Sequence, residues 1–348
     1  MKANIEEKIK NKIILITGGT GSFGAIVVRE LLTLSPKKII IFSRDEKKQD
    51  DMRNIYNNSL LKFVIGDVRD KESVDKIVRG VDYIFHAAAL KQVPVCEFFP
   101  MEAVKTNIFG MQNIINASLH HQVKRVTILS TDKAVYPINT MGMTKALMEK
   151  IMIAESKNYL AENGNMSTIF SGVRYGNVLY SRGSVLPYFI SQIKQNRKLS
   201  VTHFGMTRFL LSLSDAVDLV FYALTRGENG HIYIRKSPAC TIEVLAKAVC
   251  KIFKHKQGYE EVGVRAGEKM HETLVSREER FRAKDEGNYY NVPPESQGLD
   301  YNKYLLRGEK LNAETSEPYT SENTERLNVN QTIQLLLTLP EIQKELSK

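Results

Sequence analysis

Near the middle of the chain a hydroxyl, a carboxylate and an amine stand side by side as Thr131, Asp132 and Lys133, within STDKAVYPIN, and a second lysine, Lys145, follows in a stretch of helical period. Neighbouring groups of opposite character suit a reaction in which one gives a proton while the other takes one. Asp132 becomes the donor if burial raises its pKa, and Lys133 the acceptor if its own is lowered. The same two residues also make an ordinary strand-end salt bridge. Met141, four residues before Lys145, has no proton to give or take.

A second group binds rather than reacts. TGGTGSFG places Gly18, Gly21 and Gly24 in GxxGxxG spacing directly after an apolar run and before a helical stretch. Glycine there allows a tight turn and close backbone approach, while the helix N-terminus offers amide donors to a pyrophosphate. Alone the motif is a glycine-rich turn; between strand and helix it reads as a dinucleotide site. Ser43, Arg44 and Asp45 end the second apolar run. Arg44 beside a small hydroxyl offers a fork to a 2′-phosphate and favours NADP, whereas the Asp45 carboxylate keeps NAD open. Asp67, after the third run, can accept from an adenine amine or cap the next helix. His86, at a strand end among small residues, reads as a core histidine rather than a ligand.

The elements that must position these groups alternate. Apolar runs of strand length, IILITGG, KIIIFS, LKFVIGD, YIFHAA, RVTILST and MSTIFSGV, are separated by stretches of helical period near 22–34, 44–57, 70–79, 101–121 and 141–163. Continuous Val/Ile runs between helices indicate a parallel sheet covered on both faces, so the fold class is α/β, a Rossmann-like doubly wound sheet. After about residue 178 the elements shorten, with helices near 185–195, 214–226 and 241–253 and a strand at HIYIR. Lys284 to Arg326 is polar and carries Pro293 and Pro294, ahead of a final helix near 329–346. The expected division is a dinucleotide-binding domain over 11–178 to which later segments return, a smaller substrate-binding α/β region over 179–284, and an extension over 285–348 read as an oligomer contact or functional loop.

The 348 residues include three cysteines without a CxxC, Cys96, Cys240 and Cys250, so neither disulfides nor a zinc site are suggested. No apolar run is long enough to span a membrane, and a cytoplasmic protein is expected. The net charge of +10 is spread along a chain without tryptophan or basic-aromatic interleaving. That favours an anionic small-molecule substrate over nucleic acid.

With TGGTGSFG (17–24), FSRDEKKQ (42–49), GDVRD (66–70), HAAALKQVPVCE (86–97), STDKAVYPIN (130–139), RYGNVLYSRGSVLP (174–187), MTRFLLSL (206–213), RAGEKMHE (265–272) and YTSENTERLN (319–328) in this order, the chain resembles the extended short-chain dehydrogenases/reductases. Within them it is similar to the bacterial polysaccharide-biosynthesis UDP-N-acetylglucosamine 4,6-dehydratases and UDP-sugar epimerases. The family's YxxxK tyrosine is Met141 here, as in the capsule-type, C5-inverting branch with its MGMxK. The resemblance implies cofactor contacts at Gly18, Thr20, Gly21, Ser22, Phe23, Gly24, Ser43, Arg44, Asp67, Val68, Ala87, Ala88, Ala89 and Lys145. It implies catalytic roles around Thr131, Asp132, Lys133, Met141 and Lys145, and sugar or diphosphate contacts at Lys91, Asn177, Arg182, Ser184, Arg208, Arg265 and Glu268. It also implies a homo-oligomer, a hexamer among the options, built through Lys284–Arg326.

The leading expectation is a C5-inverting UDP-N-acetylglucosamine 4,6-dehydratase that passes through a 4-keto sugar, with Asp132 protonating O6 and Lys133 removing the C5 proton. The base at O4 stays open among Thr131, Lys145, an ordered water and Tyr136. The alternatives are a 4-epimerase of UDP-glucose or UDP-N-acetylglucosamine, which needs no acid at O6, and a non-catalytic nucleotide-binding protein.

Overall fold

The computed structural model describes residues 2–163, 168–181, 183–295 and 317–347. Its centre is a nine-stranded sheet. After a first helix, α1 (Lys2–Ile9), six parallel strands run as β1 (Ile13–Thr17), β2 (Lys38–Ser43), β3 (Leu61–Ile65), β4 (Tyr83–His86), β5 (Arg125–Leu129) and β6 (Ile169–Arg174), in spatial order β3-β2-β1-β4-β5-β6. The strand His231–Arg235 adds parallel to β6, and Tyr289–Val292 and Lys284–Asp285 continue the sheet antiparallel. The strands read as unbroken apolar runs because both faces are covered: Ile14, Leu15 and Ile16 of β1 are all wholly buried.

The crossovers are α2 (Ser22–Leu32), α3 (Glu46–Tyr56), α4 (Lys71–Val78), α5 (Val93–Phe98), α6 (Pro100–Ala103), α7 (Gly110–His120) and α8 (Thr140–Asn163). On one face Val74, Ile77, Met111, Ile114, Met148 and Met152 of α4, α7 and α8 pack on the sheet. The other face takes Val27, Val28 and Leu31 of α2 with Val217 and Val220 of the helix Leu213–Arg226. A separate core joins the helices Val185–Lys194, Ile242–Ile252, Val329–Leu337 and Pro340–Leu346 beside the sheet. Among the described residues no helix is long and apolar enough to cross a membrane.

Three expectations differ from what is found. The helix expected near 101–121 starts earlier and is segmented: Pro94 and Pro100 sit in the first turns of α5 and α6, Phe99 between them is non-helical, and a π-helical turn, Val104–Phe109, leads into α7. The final helix is two helices, because Pro340 opens the second. The polar stretch after Lys284 is less irregular than its composition suggests. Tyr289 is buried and stacks on Tyr222 with ring centroids 4.4 Å apart, holding an edge strand in place. Tyr319–Thr320 pairs with Thr273–Val275. Residues 296–316, within the expected oligomer contact, lie outside the described residues.

Candidate active site

The strand order reverses between β1 and β4, and loops leaving the carboxyl ends of the parallel strands diverge there, which opens a crevice. A cleft of about 1100 Å³ lies at that end. It is lined by every residue singled out above for binding or catalysis except Arg182, which lies outside the described residues, and Tyr136 and His86, which are described but do not line it.

At its dinucleotide end Gly18 adopts φ +68°, and a Cβ there would come within 2.9 Å of the Ala88 backbone. Only glycine lets the β1 turn touch the β4 loop so closely. Helix α2 then starts at Ser22 with no side-chain cap, so its first amides are left for a ligand. A pyrophosphate fits this cradle. His86 is a buried strut whose Nδ1 lies 2.8 Å from Thr17 Oγ1. Burial, and then the Lys145 charge, push its pKa down to about 3, so it is a neutral ring.

At the ribose end Ser43 Oγ accepts hydrogen bonds from Thr20 at 3.1 Å and Gln49 at 3.0 Å. Asp45 caps α3 through the Lys48 amide and pairs with the Lys48 ammonium, so its carboxylate is engaged away from a ribose hydroxyl. Arg44 stays half-exposed, 3.5 Å from Asp67. Asp67 does not cap α4; Asp70 does, and Asp67 is held by Arg69 at 2.7 Å.

The chemical end is built by a single 3₁₀ turn, Asp132–Ala134, just after β5. Thr131 donates to Asp132 Oδ1 at 2.7 Å, and Lys133 Nζ lies 3.1 Å from the same oxygen. Lys133 is a base in its own right only if its pKa is lowered, and the direction found is the opposite. Burial works to lower the Lys133 pKa, but the Asp132 and Glu272 charges outweigh it and hold the ammonium above its ordinary range. Lys133 is therefore a bound cation in the free site, and it becomes a base only after losing its proton to a neighbour.

Glu272 is the residue the sequence reading passed over. It closes RAGEKMHE, is buried, and places Oε1 3.4 Å from Lys133 Nζ and 3.6 Å from Arg208 Nε. Its Oε2 has no hydrogen-bond partner among the described residues. The sequence signal for it is an acid closing a motif that already supplies Arg265 and Glu268.

Met141 and Lys145 lie one turn apart on α8, both buried. Met141 packs with Cys96, Ala103, Leu90 and Val93, filling with apolar volume the place a phenol would occupy. Lys145 donates to the Leu129 carbonyl at 2.7 Å, and burial brings its pKa down to about 8 against the attraction of Glu149. Tyr136 is not the substitute phenol. Its hydroxyl donates to Glu278 at 2.8 Å and accepts from the Arg277 amide, outside the cleft.

The substrate end is arranged by the 265–272 loop, tied to the start of α8 where Asn139 Nδ2 donates to the Gly267 carbonyl at 3.0 Å. Arg265 is 62% exposed at the rim, 3.8 Å from Glu268. Arg208, expected to contact phosphate, lines the cleft, and its Nη1 donates to the carbonyls of Thr207 and Lys269 at 2.8 and 3.0 Å. Lys91 is exposed on the cleft wall. Asn177 Oδ1, Ser184 Oγ and Glu268 Oε2 are buried in the cleft wall without partners among the described residues. Buried polar atoms are rarely left unpaired, so these three mark where ligand atoms belong.

Comparison with known proteins places this arrangement. A family model described as a polysaccharide biosynthesis protein matches residues 14–294, and one for the C-terminal part of such proteins matches 296–343. A protein of Rickettsia bellii named UDP-glucose 4-epimerase is 54% identical over 340 residues, covering 97% of this chain and 98% of the relative. The X-ray structure of Pen from Bacillus thuringiensis superposes with a TM-score of 0.84 at 32% identity, over 95% of this chain and 99% of that one. DesIV of Streptomyces venezuelae, a dTDP-glucose 4,6-dehydratase with NAD bound, shares the fold with a TM-score of 0.66 at 18% identity, over 95% and 99% of the two chains.

Proposed function

This chain belongs to the polysaccharide biosynthesis protein family, nucleotide-sugar-modifying enzymes of the extended short-chain dehydrogenase/reductase class, and from that premise we propose that it is a C5-inverting UDP-N-acetylglucosamine 4,6-dehydratase. The carrying observation is the ion pair at the end of β5 between the buried Asp132 and the partly exposed Lys133, with Met141 at the position of the family's phenol. A dehydratase must give a proton to the departing O6 and take one from C5, whereas a 4-epimerase has no use for an acid at O6.

NADP, or NAD, held on the glycine turn would supply the oxidation of C4 and the return of the same reducing equivalent at C6. The chain's own groups do the rest. Lys145 would hold the nicotinamide ribose, and its amine, brought down to about 8 by burial, suits relay of the O4 proton. Lys133 passes its proton to the adjacent carboxylate, which makes an acid and a base from one ion pair: Asp132 then protonates O6 and the Lys133 amine removes the C5 proton, made acidic by the C4 ketone. C5 then takes a proton from solvent on the face opposite Lys133, which gives the inversion, while Lys133 keeps the proton it removed and Asp132 is again a carboxylate. Arg265 grips the diphosphate, with Asn177, Ser184, Lys91 and Glu268 around the sugar.

The name of the Rickettsia relative favours a second reading, a UDP-glucose 4-epimerase. Incubation with UDP-N-acetylglucosamine and mass analysis of the nucleotide sugar separates the two, since dehydration loses one water and epimerisation loses nothing. A chain that binds dinucleotide and converts no UDP-hexose is neither, and serves as a nucleotide-binding protein.

A further inference from the structure

The proton-transfer pair is held by more than its own turn. Lys133 is faced by Asp132 from the 3₁₀ turn, by Glu272 and Lys269 from the 265–272 loop, and by Arg208 from the strand Thr207–Phe209. Three cations thus share two carboxylates. Glu272 lies 3.4 and 3.6 Å from two of the cations through Oε1, and its buried Oε2 has no partner among the described residues.

The position of Glu272 is fixed from far along the chain. Ser321 is wholly buried, and its Oγ accepts from the Glu272 amide at 2.9 Å and lies 2.7 Å from Thr207 Oγ1. The Ser321 amide donates to the Glu272 carbonyl at 2.8 Å, and the adjoining strands pair Thr320 with Thr273. The segment after residue 317 thereby pins the acid and the strand carrying Arg208 with one hydroxyl.

We propose that Glu272 is a positioning residue for proton transfer at the Asp132–Lys133 pair: through Oε1 it keeps Lys133 a cation in the free site, and Ser321 of the C-terminal segment sets it in place. With Glu272 neutral, one carboxylate would face three cations, and Lys133 would release its proton more readily. The directions of titration agree, since Lys133 is held above its ordinary range while Lys269, in the same group, is brought below it by burial. The proposal deepens the dehydratase reading, because the timing of the Lys133 proton matters only if that pair moves protons.

The test is a competitive acetic anhydride labelling of the full chain from neutral to alkaline pH, with Lys133 followed by mass spectrometry against exposed Lys62. Glu272→Gln should raise the Lys133 labelling rate at neutral pH about tenfold, the effect of one pKa unit, while Lys145 is unchanged and dinucleotide still binds. Glu272→Asp should restore most of the difference, and Ser321→Ala should give a smaller rise in the same direction. An unchanged Lys133 rate in a folded Glu272→Gln protein overturns the proposal. If that variant does not fold, the Ser321→Ala rate decides by the same criterion. Labelling is read without turnover, so a failed dehydratase assay and a failed labelling result are separate outcomes.

Discussion

Lys133 Nζ lies 3.1 Å from Asp132 Oδ1, and the Asp132 side chain is almost wholly buried, so the two form one unit at the mouth of the sheet. Moving one proton across that distance turns a salt bridge into a neutral acid and a neutral amine. Asp132→Asn keeps the shape and removes the acid. Turnover should fall by about 10²–10⁴ with dinucleotide affinity unchanged, measured by product formation and by cofactor titration.

Lys145 gives a pH signature. Its pKa is near 8 in the folded chain against 10.5 in the unfolded one, chiefly through burial. Between those values the unfolded state binds more protons, so stability rises with pH from about 8 to 10.5 and the gain is lost progressively as pH falls back to about 8. The buried charge costs about 3 kcal/mol below that point. Urea unfolding at neutral and alkaline pH should show the rise in the native chain and a markedly smaller one in Lys145→Met, which should also be inactive.

Gly142, in the first turn of α8, stands against the 3₁₀ turn that carries Asp132 and Lys133. A Cβ there would lie 2.2 Å from the Lys133 carbonyl oxygen, and the Gly142 amide already donates to Asn139 Oδ1 at 2.8 Å. Gly142→Ala should displace the 3₁₀ turn, costing about 1–3 kcal/mol in stability and at least as much again in activity as measured by kcat/KM. Thermal unfolding and initial rates check both.

Arg44 is half-exposed at the ribose end while Asp45 is occupied with Lys48. NADP should therefore bind more tightly than NAD, and Arg44→Ala should weaken NADP about tenfold or more while leaving NAD nearly unchanged. Equal losses for both would remove the case for a 2′-phosphate contact.

Much of this was legible because local chemistry and fold agree. The β1–α2 glycine turn, the alternation of apolar runs with helices, and the Asp132–Lys133 pair are each set by neighbours in sequence. What was not legible depends on distant partners. Glu272 acquires meaning only when Thr273–Val275 pairs with Tyr319–Thr320 and brings Ser321 to its amide. The tie of Arg208 to the Lys269 carbonyl is set by a partner far along the chain, and Tyr136 looks like a spare phenol until Glu278 engages it outside the cleft. The Lys133 titration direction likewise depends on a carboxylate 139 positions away, as the numbering of Lys133 and Glu272 gives.

The most direct measurement is the mass of UDP-N-acetylglucosamine after incubation with the purified chain and dinucleotide. The account predicts a product lighter by one water, formed by the native chain and lost in Asp132→Asn. An unchanged mass, with a 4-epimer visible by NMR, would contradict it and make the acid at the end of β5 a structural salt bridge.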